Sequence, residues 1–271
     1  MKKRMIIGAI ILITLSVFLL GCNSQPTAQE QGDQSLEEIK ENGKLIMGLD
    51  DSFPPMGFKD EKGEIVGFDI DLAKEVTKKL GIELELKPID WAAKELSLSS
   101  GDIDVIWNGF SISEKRKEKV LFSEPYLEND QIIAVGADSS IKNKQDLKDK
   151  IVGLQMESTS ATALNAEPDV KDSLKEIKEY ENNVEALLDL KSGRTDAVIV
   201  DEVVGKYYIA QKPGEYKVLE ENFGAEFYAV GFRKEDKALK EAIDKAIDEL
   251  VQEGIVGEIS KKWFGEDIVL R

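Results

Sequence analysis

Short apolar runs alternate with stretches of helical periodicity along most of the chain. The runs with the length and composition of strands are residues 44–49, 83–89, 102–107, 150–154 and 196–200. In residues 67–81, Leu72, Val76 and Leu80 share one helical face, and Gly81 is typical of a helix end. Further helices are predicted around residues 184–190, 238–250 and 255–263. This alternation predicts an α/β fold with mainly parallel strands.

The N-terminus has the pattern of an export signal. Residues 1–4 are basic, and the apolar run over residues 5–20 is shorter than an ordinary membrane span. The run ends in Leu19-Leu20-Gly21-Cys22, which resembles a bacterial lipobox, where the signal is cleaved before the cysteine. We therefore expect a signal peptide over residues 1–21 and a lipid anchor at Cys22. A plain signal peptide with an incidental cysteine is the alternative.

The segment after the cysteine is predicted to be a tether. Residues 23–35 contain no large apolar side chain, so the tether is placed at residues 22–35 and the folded unit begins near Leu36. Several acyl chains such as palmitate on Cys22 would hold the protein at a membrane durably, whereas one chain would not. The expected location is the extracytoplasmic face of the cell membrane.

Composition excludes several classes of function. The chain has no histidine, which excludes Ser-His-Asp and Cys-His catalytic pairs and histidine-ligated zinc. Its single cysteine cannot form an internal disulfide. With 36 Lys+Arg against 53 Asp+Glu, the formal net charge is -17, which disfavours a nucleic-acid partner. We expect no metal, no cofactor and no catalytic residue.

Polar side chains directly follow the predicted strands. Asp50, Asn108, Gln155 and Asp201 each come immediately after an apolar run. Because ligands of open α/β sheets bind outside the carboxyl ends of the strands, these positions are candidates for a binding site. The alternative is that polar residues simply mark the strand ends, as they do in most proteins.

The loops after these strands contain further candidates. The segment Phe53-Pro54-Pro55 would hold an aromatic ring stiffly near the end of the first strand. Ser113 resembles a helix N-cap, and Arg116 lies one turn further on. Residues 155–162 are a turn of small residues leading into a predicted helix, whose free N–H groups suit an anion or a carbonyl.

A set of motifs in fixed order resembles a known family over nearly the whole mature chain. The motifs are Gly67-Phe68-Asp69-Ile70-Asp71-Leu72-Ala73, Gly101-Asp102-Ile103-Asp104, Ser113-Glu114-Lys115-Arg116-Lys117 and Phe122-Ser123-Glu124-Pro125-Tyr126. They resemble the polar amino-acid solute-binding proteins of ABC importers, the bacterial extracellular solute-binding proteins of family 3. The resemblance implies a monomeric protein that binds an amino acid and delivers it to an ABC permease, which works with an ATPase subunit.

The implied architecture is a two-lobed periplasmic-binding-protein fold of type II, whose lobes are joined by two crossovers. The crossovers are expected near residues 128–131 and 224–229. Lobe 1 would comprise residues 36–129 and 227–271, and lobe 2 residues 130–226.

The family's binding residues are carried over position by position. Arg116 matches the arginine that binds the ligand α-carboxylate, and its fork suits bidentate contact. Asp201 matches the acidic residue that receives the α-ammonium. Ser111, with Asn108 and Gly109, matches the supporting loop of lobe 1, and Thr159 with Gln155 matches the facing loop of lobe 2. Phe53 matches the aromatic lid over the ligand side chain. Trp91 falls where a second stacking ring often lies. By residue type alone, Arg116 would be a solvated helix charge, and the two rings would be ordinary core.

The identity of the ligand side chain is left open by the sequence. Glu157 stands where the family usually has glycine, and its carboxylate either points outward or lies near the distal end of the ligand. Together with Asp50 and Asp51, it favours a basic amino acid such as arginine or lysine. Glutamine and cystine remain alternatives, because carboxylates are abundant throughout this chain.

Two other functional classes are alternatives to transport: ligand sensing or adhesion, and catalysis. The same lobes serve in ligand-sensing or adhesin lipoproteins, which the sequence distinguishes poorly from importers. The fold also hosts dehydratase-like enzymes, but an arginine and an aspartate that bind a zwitterion are accounted for by binding alone. We therefore expect a binding protein without catalysis.

Overall fold

The computed structural model of the protein describes residues 32–270. The predicted signal peptide over residues 1–21, the predicted anchor Cys22 and the first part of the tether lie outside the described residues. Asp33 and Ser35, which the sequence assigned to the tether, contact a later helix: the Asp33 carboxylate accepts the N–H of Ala238, and Ser35 Oγ accepts that of Leu239 at 3.1 Å. Helical structure starts at Ser35, one residue before the expected start of the folded unit.

Strands and helices alternate as the sequence predicts. The strands are β1 Lys44–Leu49, β2 Ser52–Phe53, β3 Gly57–Lys59, β4 Ile65–Val66, β5 Glu83–Pro88, β6 Val105–Ile106, β7 Leu121–Phe122, β8 Leu127–Gly136, β9 Ile151–Gln155, β10 Glu176–Tyr180, β11 Ala197–Asp201, β12 Tyr216–Tyr228 and β13 Gly231–Phe232. The α-helices are α1 Ser35–Asn42, α2 Phe68–Leu80, α3 Lys94–Ser99, α4 Glu114–Lys117, α5 Thr159–Asn165, α6 Pro168–Lys171, α7 Asn183–Lys191, α8 Glu202–Gln211, α9 Lys237–Gln252 and α10 Ile255–Phe264. Within the described residues, no helix is long and apolar enough to cross a membrane.

Two mixed five-stranded sheets form the centres of the two lobes. The first has the order β5-β1-β6-β13-β7, with β13 antiparallel to its neighbours. The second has the order β10-β9-β11-β8-β12, with β8 antiparallel to its neighbours. In each sheet the other strands run in one direction, so the predicted α/β architecture with mainly parallel strands is confirmed. A small antiparallel sheet, β2-β3-β4, lies after β1.

Burial patterns explain the main elements. Strand β1 lies between two strands and buries Leu45, Met47 and Leu49 completely, as expected of a central parallel strand. Helix α2 buries Leu72 and Val76, and Gly81 ends it in the left-handed conformation with φ 72°. The predicted helices α9 and α10 both pack on α2, and α9 also contacts β7 of the first sheet.

The longest strands are β8 and β12, which pair antiparallel with each other. At one end of this pair Leu127 is the partner of Tyr228. Leu127 also forms a β-bridge with Val269, and Tyr228 forms one with Ser111. The predicted crossovers, residues 128–131 and 224–229, lie on this strand pair. The division of the lobes at 129/130 and 226/227 stays a prediction.

The predicted strand over residues 102–107 is wrong in length, because only Val105–Ile106 form β6. The Asp104 carboxylate accepts the Ile46 N–H at 2.8 Å, so a side chain replaces the ladder bond at the start of the run.

Candidate functional site

The four polar residues after the predicted strands meet at one cleft. Asp50, Asn108, Gln155 and Asp201 follow or end β1, β6, β9 and β11, and all four are buried. Gln155 Nε2 donates to Asp50 Oδ2 at 2.9 Å, and the Asp50 N–H donates to Asn108 Oδ1 at 3.1 Å. The carboxyl ends of strands from both sheets therefore face each other across this cleft.

A small cavity in the cleft is lined by all the predicted site residues except Asp50 and Asn108, which contact its walls. The lining consists of Phe53, Trp91, Gly109, Ser111, Arg116, Gln155, Ser158, Thr159 and Asp201. Its volume is about 10 Å³, roughly the room for one water molecule. The cleft is thus closed around its own side chains.

Arg116 lies at one end of the cavity. Ser113 Oγ accepts the Arg116 N–H at 3.3 Å as the N-cap of α4, as predicted. The guanidinium donates from Nη1 to the Ser111 carbonyl at 2.8 Å and from Nη2 to the Glu157 carbonyl at 3.4 Å, and it stacks on Phe110 with 4.5 Å between Cζ and the ring centroid. Burial lowers the pKa of Arg116, while the nearby Glu226 carboxylate raises it.

Arg116 is a buried cation whose hydrogen bonds go to neutral carbonyls. Its side chain belongs to a residue that is 5% exposed, and within residues 32–270 it forms no ion pair. A buried guanidinium without a carboxylate partner is ready to receive an anion. The interpretation of Arg116 as a solvated helix charge is therefore wrong.

The loop after β6 is fixed from beneath by Asp69. Gly109 has φ 52°, and an added Cβ would approach the Phe53 ring to 2.7 Å, so only glycine fits this turn. Its N–H donates to Asp69 Oδ2 at 2.7 Å. Complete burial raises the pKa of Asp69 to about 7, while the Gly109 N–H acts in the opposite direction. Asp69 positions the loop that carries Ser111.

Asp201 lies at the other end of the cavity. Its Oδ1 accepts hydrogen bonds from Asn129 Nδ2 at 2.9 Å, Gln131 Nε2 at 3.0 Å and the Tyr228 hydroxyl at 2.7 Å. Burial raises the pKa of Asp201 well above its usual range, and the Glu226 carboxylate raises it further. This acidic end faces the basic end formed by Arg116.

The sequence did not identify several residues of this acidic end. These residues lie on β8 and β12, the strand pair that contains the predicted crossovers: Asn129, Gln131, Tyr228 and Glu226. The spacing of Asn129 and Gln131 could have indicated them, because residues two apart in a strand point to the same face and both lie within the predicted crossover.

Lys94 is a second buried cation that the sequence did not single out. Its Nζ donates to the Trp91 carbonyl at 2.9 Å and to the Glu157 carbonyl at 3.1 Å. Burial and the charge of Arg116 lower the pKa of Lys94 to about 7. Lys94 and Arg116 together tie the first lobe to the turn after β9.

Glu157 occupies the left-handed region with φ 53°, the conformation that glycine adopts most easily. Its side chain is 62% exposed and lies 3.9 Å from Lys115 Nζ. Of the alternatives drawn from the sequence, the outward orientation is therefore correct, and only the backbone carbonyl of Glu157 faces the cleft. Asp51 is paired with Lys59.

Direct contacts between facing loops complete the closure. Ser111 Oγ lies 3.2 Å from Thr159 Oγ1. Phe53 and Trp91 are both buried at the cavity, and Trp91 packs edge-on against Phe110 with ring centroids 5.9 Å apart. The hydroxyls and rings that the sequence assigned to ligand contact thus surround one small space.

Comparisons with known proteins identify similar sequences and similar folds. The family of bacterial extracellular solute-binding proteins, family 3, matches residues 45–266. The L-cystine-binding protein of Escherichia coli is 32% identical over 237 residues, which cover 86% of this chain and 87% of that protein. A histidine-bound substrate-binding protein of an ABC uptake transporter from Streptococcus pneumoniae has a TM-score of 0.85 at 39% identity, covering 89% of this chain and 99% of that one. An ancestral arginine-binding protein bound to arginine has a TM-score of 0.77 at 44% identity, covering 82% and 99%.

Proposed function

The chain belongs to the bacterial extracellular solute-binding proteins of family 3, and on that premise we propose that it binds one amino acid in its cleft and delivers it to an ABC permease. One observation carries the proposal: a buried guanidinium on the first lobe and a buried carboxylate at the end of β11 on the second face the same cavity. A zwitterion taken out of water needs an opposite charge for each end, and this cleft supplies both.

The ligand α-carboxylate is proposed to bind Arg116, supported by the Ser111 and Thr159 hydroxyls. The Arg116 guanidinium has several N–H donors, and those not bonded to the Ser111 and Glu157 carbonyls are available to the ligand carboxylate. The α-ammonium is proposed to bind Asp201, which already accepts three neutral donors on Oδ1.

Cleft closure is proposed to couple binding to delivery. The cavity of about 10 Å³ has room for about one water molecule, so the ligand is proposed to enter an open form. When the lobes close around it, the ligand would replace the direct Ser111–Thr159 contact between them. Because the ligand bridges the two lobes, it favours the closed form, which the permease would recognise.

A basic side chain is the ligand class that we propose. Asp50 is buried and accepts hydrogen bonds from Ser52 and Gln155, yet it forms no ion pair within residues 32–270. Burial raises the pKa of Asp50, so a cationic partner would relieve the cost of its charge. The nearby rings of Phe53 and Trp91 suit a flat or cationic group.

A calorimetric panel of arginine, lysine, histidine, glutamine and cystine tests this proposal. We expect tight binding of arginine or lysine, and a marked loss of that preference in Asp50→Asn. Asp51→Asn, which removes the neighbouring half-buried carboxylate that is already paired with Lys59, is the matched control. Tight binding of glutamine or cystine alone would reject the basic preference and leave amino-acid binding intact.

We propose that the protein binds without turnover and acts in uptake. Binding of a zwitterion accounts for the opposed charges of Arg116 and Asp201, so these two residues need no additional role as a catalytic acid or base. Loss of radiolabelled amino-acid uptake on deletion of the gene, with uptake restored by the wild-type chain, would support transport over sensing or adhesion. Dehydration of prephenate or arogenate by the purified protein would instead indicate an enzyme.

Anchoring at the extracytoplasmic face of the membrane through acylated Cys22 is also part of the proposal. It rests on the lipobox-like sequence Leu19-Leu20-Gly21-Cys22. Mass spectrometry of the mature N-terminus should find acyl chains on Cys22, and Cys22→Ala should release the protein from membranes. An unmodified Cys22 in the mature protein would reject the anchor.

A further inference from the structure

Glu226 lies beside Asp201 at the acidic end of the cleft, although no motif in the sequence pointed to it. Its Oε1 accepts hydrogen bonds from Asn129 Nδ2 at 2.9 Å and Gln131 Nε2 at 2.9 Å. The same two nitrogens donate to Asp201 Oδ1 at 2.9 and 3.0 Å. Two carboxylates therefore share two amide donors and lie next to each other.

The sheet register produces this pair. Glu226 is the partner of Asn129 in the β12–β8 ladder, and Asp201 is the partner of Gln131 in the β11–β8 ladder. Positions 129 and 131 are two apart on β8, so their side chains point to the same face of the sheet. The flanking strands thus bring one carboxylate to each amide on the cleft side.

Glu226 also reaches the carboxylate-binding end of the cavity. Its Oε1 accepts the Ser111 hydroxyl at 2.7 Å, on the loop whose carbonyl is bonded to Arg116. Ser111 thus contacts both charged groups, with its hydroxyl bonded to Glu226 and its carbonyl bonded to Arg116, and the Glu226 carboxylate raises the pKa of Arg116. Glu226 therefore lies between the two ends that the proposed function assigns to a zwitterion.

We propose that Glu226 is a second acceptor for the ligand α-ammonium, and that ligand binding displaces one proton from Asp201 to solvent. This inference rests on the proposed function. The O–H bond of the protonated Asp201 carboxyl breaks and its proton passes to water or buffer. The ammonium then lies between the two carboxylates, and no other covalent bond changes.

Electrostatics explains the exchange. Burial and the adjacent Glu226 carboxylate raise the pKa of Asp201 well above its usual range, so Asp201 holds a proton when the cleft is empty. The other ionisable groups near the two carboxylates are Arg116 on α4 and Tyr228 on β12. Asp130 lies between Asn129 and Gln131 on β8, so it points to the opposite face, where it accepts a hydrogen bond from Asn222. Arg116 supplies one positive charge, which the ligand carboxylate then neutralises. An ammonium placed between the carboxylates allows both to ionise.

The sign of the pH dependence follows directly. Below the pKa of Asp201, a proton competes with the ammonium for the same oxygens, so affinity is weaker at low pH. Affinity rises with pH until Asp201 has lost its proton in the free protein, and the number of protons released falls to zero beyond that point.

Isothermal titration of the full chain with arginine tests the inference. Titrations at pH 7 in buffers of different ionisation enthalpy should show release of about one proton per arginine bound. Glu226→Gln should release fewer protons than the wild type, because only burial then raises the pKa of Asp201; it should also bind at least about fivefold more weakly at pH 8, with a smaller difference in affinity between pH 5.5 and pH 8.

Glu220→Gln is the matched control, because Glu220 is exposed on the same strand and loses the same charge. It should leave affinity and proton release unchanged. Thermal unfolding followed by circular dichroism checks that Glu226→Gln folds, and the wild-type proton count decides the question by itself if it does not.

The outcomes separate this inference from the proposed function. Arginine binding without proton release, together with an unchanged pH profile in Glu226→Gln, would overturn the inference and leave amino-acid binding intact. Failure of the wild type to bind any of the five amino acids in the panel would overturn the proposed function and this inference together.

Discussion

Replacement of Arg116 by alanine is the most direct test of the proposed binding mode. The guanidinium is 5% exposed, is held by the Ser111 carbonyl at 2.8 Å and stacks on Phe110. It is the charged group proposed to neutralise the ligand α-carboxylate. Arg116→Ala removes that charge and leaves both the carboxylate and the acidic end of the cleft without compensation.

The size of the effect follows from burial. A hydrogen bond to a charged group contributes about 1.5–3 kcal/mol, and removal of one partner from a buried ion pair costs about 3–5 kcal/mol. The expected loss is therefore at least about 3 kcal/mol, which corresponds to about a hundredfold in affinity. Arg116→Lys keeps the charge but lacks the planar fork, so its affinity should lie between those of the wild type and the alanine variant.

Isothermal titration with arginine measures this loss. Lys115→Ala is the matched control, since Lys115 lies on the same helix with its side chain 70% exposed and should change affinity by less than about threefold. Circular dichroism melting shows whether each variant is folded. A loss of less than about tenfold in folded Arg116→Ala, equal to about 1.4 kcal/mol, would refute the assignment of the carboxylate to Arg116.

Three other substitutions test separate parts of the site. Asp201→Asn keeps a buried acceptor but loses the charge, so we expect about tenfold or greater weakening of amino-acid binding with no loss of thermal stability; unchanged calorimetric affinity would contradict the ammonium assignment. Phe53→Ala should weaken arginine more than glutamine, by an additional cation–π contribution of about 0.5–2 kcal/mol, and an equal loss for both would count against stacking. Asp69→Asn tests the pH dependence of stability. The pKa of Asp69 is about 7 in the folded state and lower in the unfolded state, so folded Asp69 retains a proton that the unfolded chain has released. The contribution of Asp69 to wild-type stability therefore falls as pH rises from about 4 to 7. Urea unfolding should show the variant gaining relative to the wild type across that interval, and parallel stability curves for the two proteins would argue against a raised pKa at Asp69.

The sequence by itself determined the fold class and one half of the candidate site. Apolar runs of strand length, separated by amphipathic helices, specify an α/β fold because periodicity decides which faces can be buried. Polar residues directly after those runs had to meet at the carboxyl edges of the sheets, and Asp50, Asn108, Gln155 and Asp201 do meet there. The cap at Ser113 placed Arg116 within the first turn of α4.

Only the tertiary structure decided the acidic half of the cleft and the orientation of Glu157. Asn129 and Glu226 are 97 positions apart, and Gln131 and Asp201 are 70 apart. Their encounter depends on the register of β8 with two different strands, which no local pattern specifies. Glu157 points outward because its left-handed backbone turns the carbonyl, and not the side chain, toward Lys94 and Arg116. Local periodicity therefore specified the sheets and the ends of their strands, whereas long-range strand pairing decided which carboxylates lie side by side at the cleft.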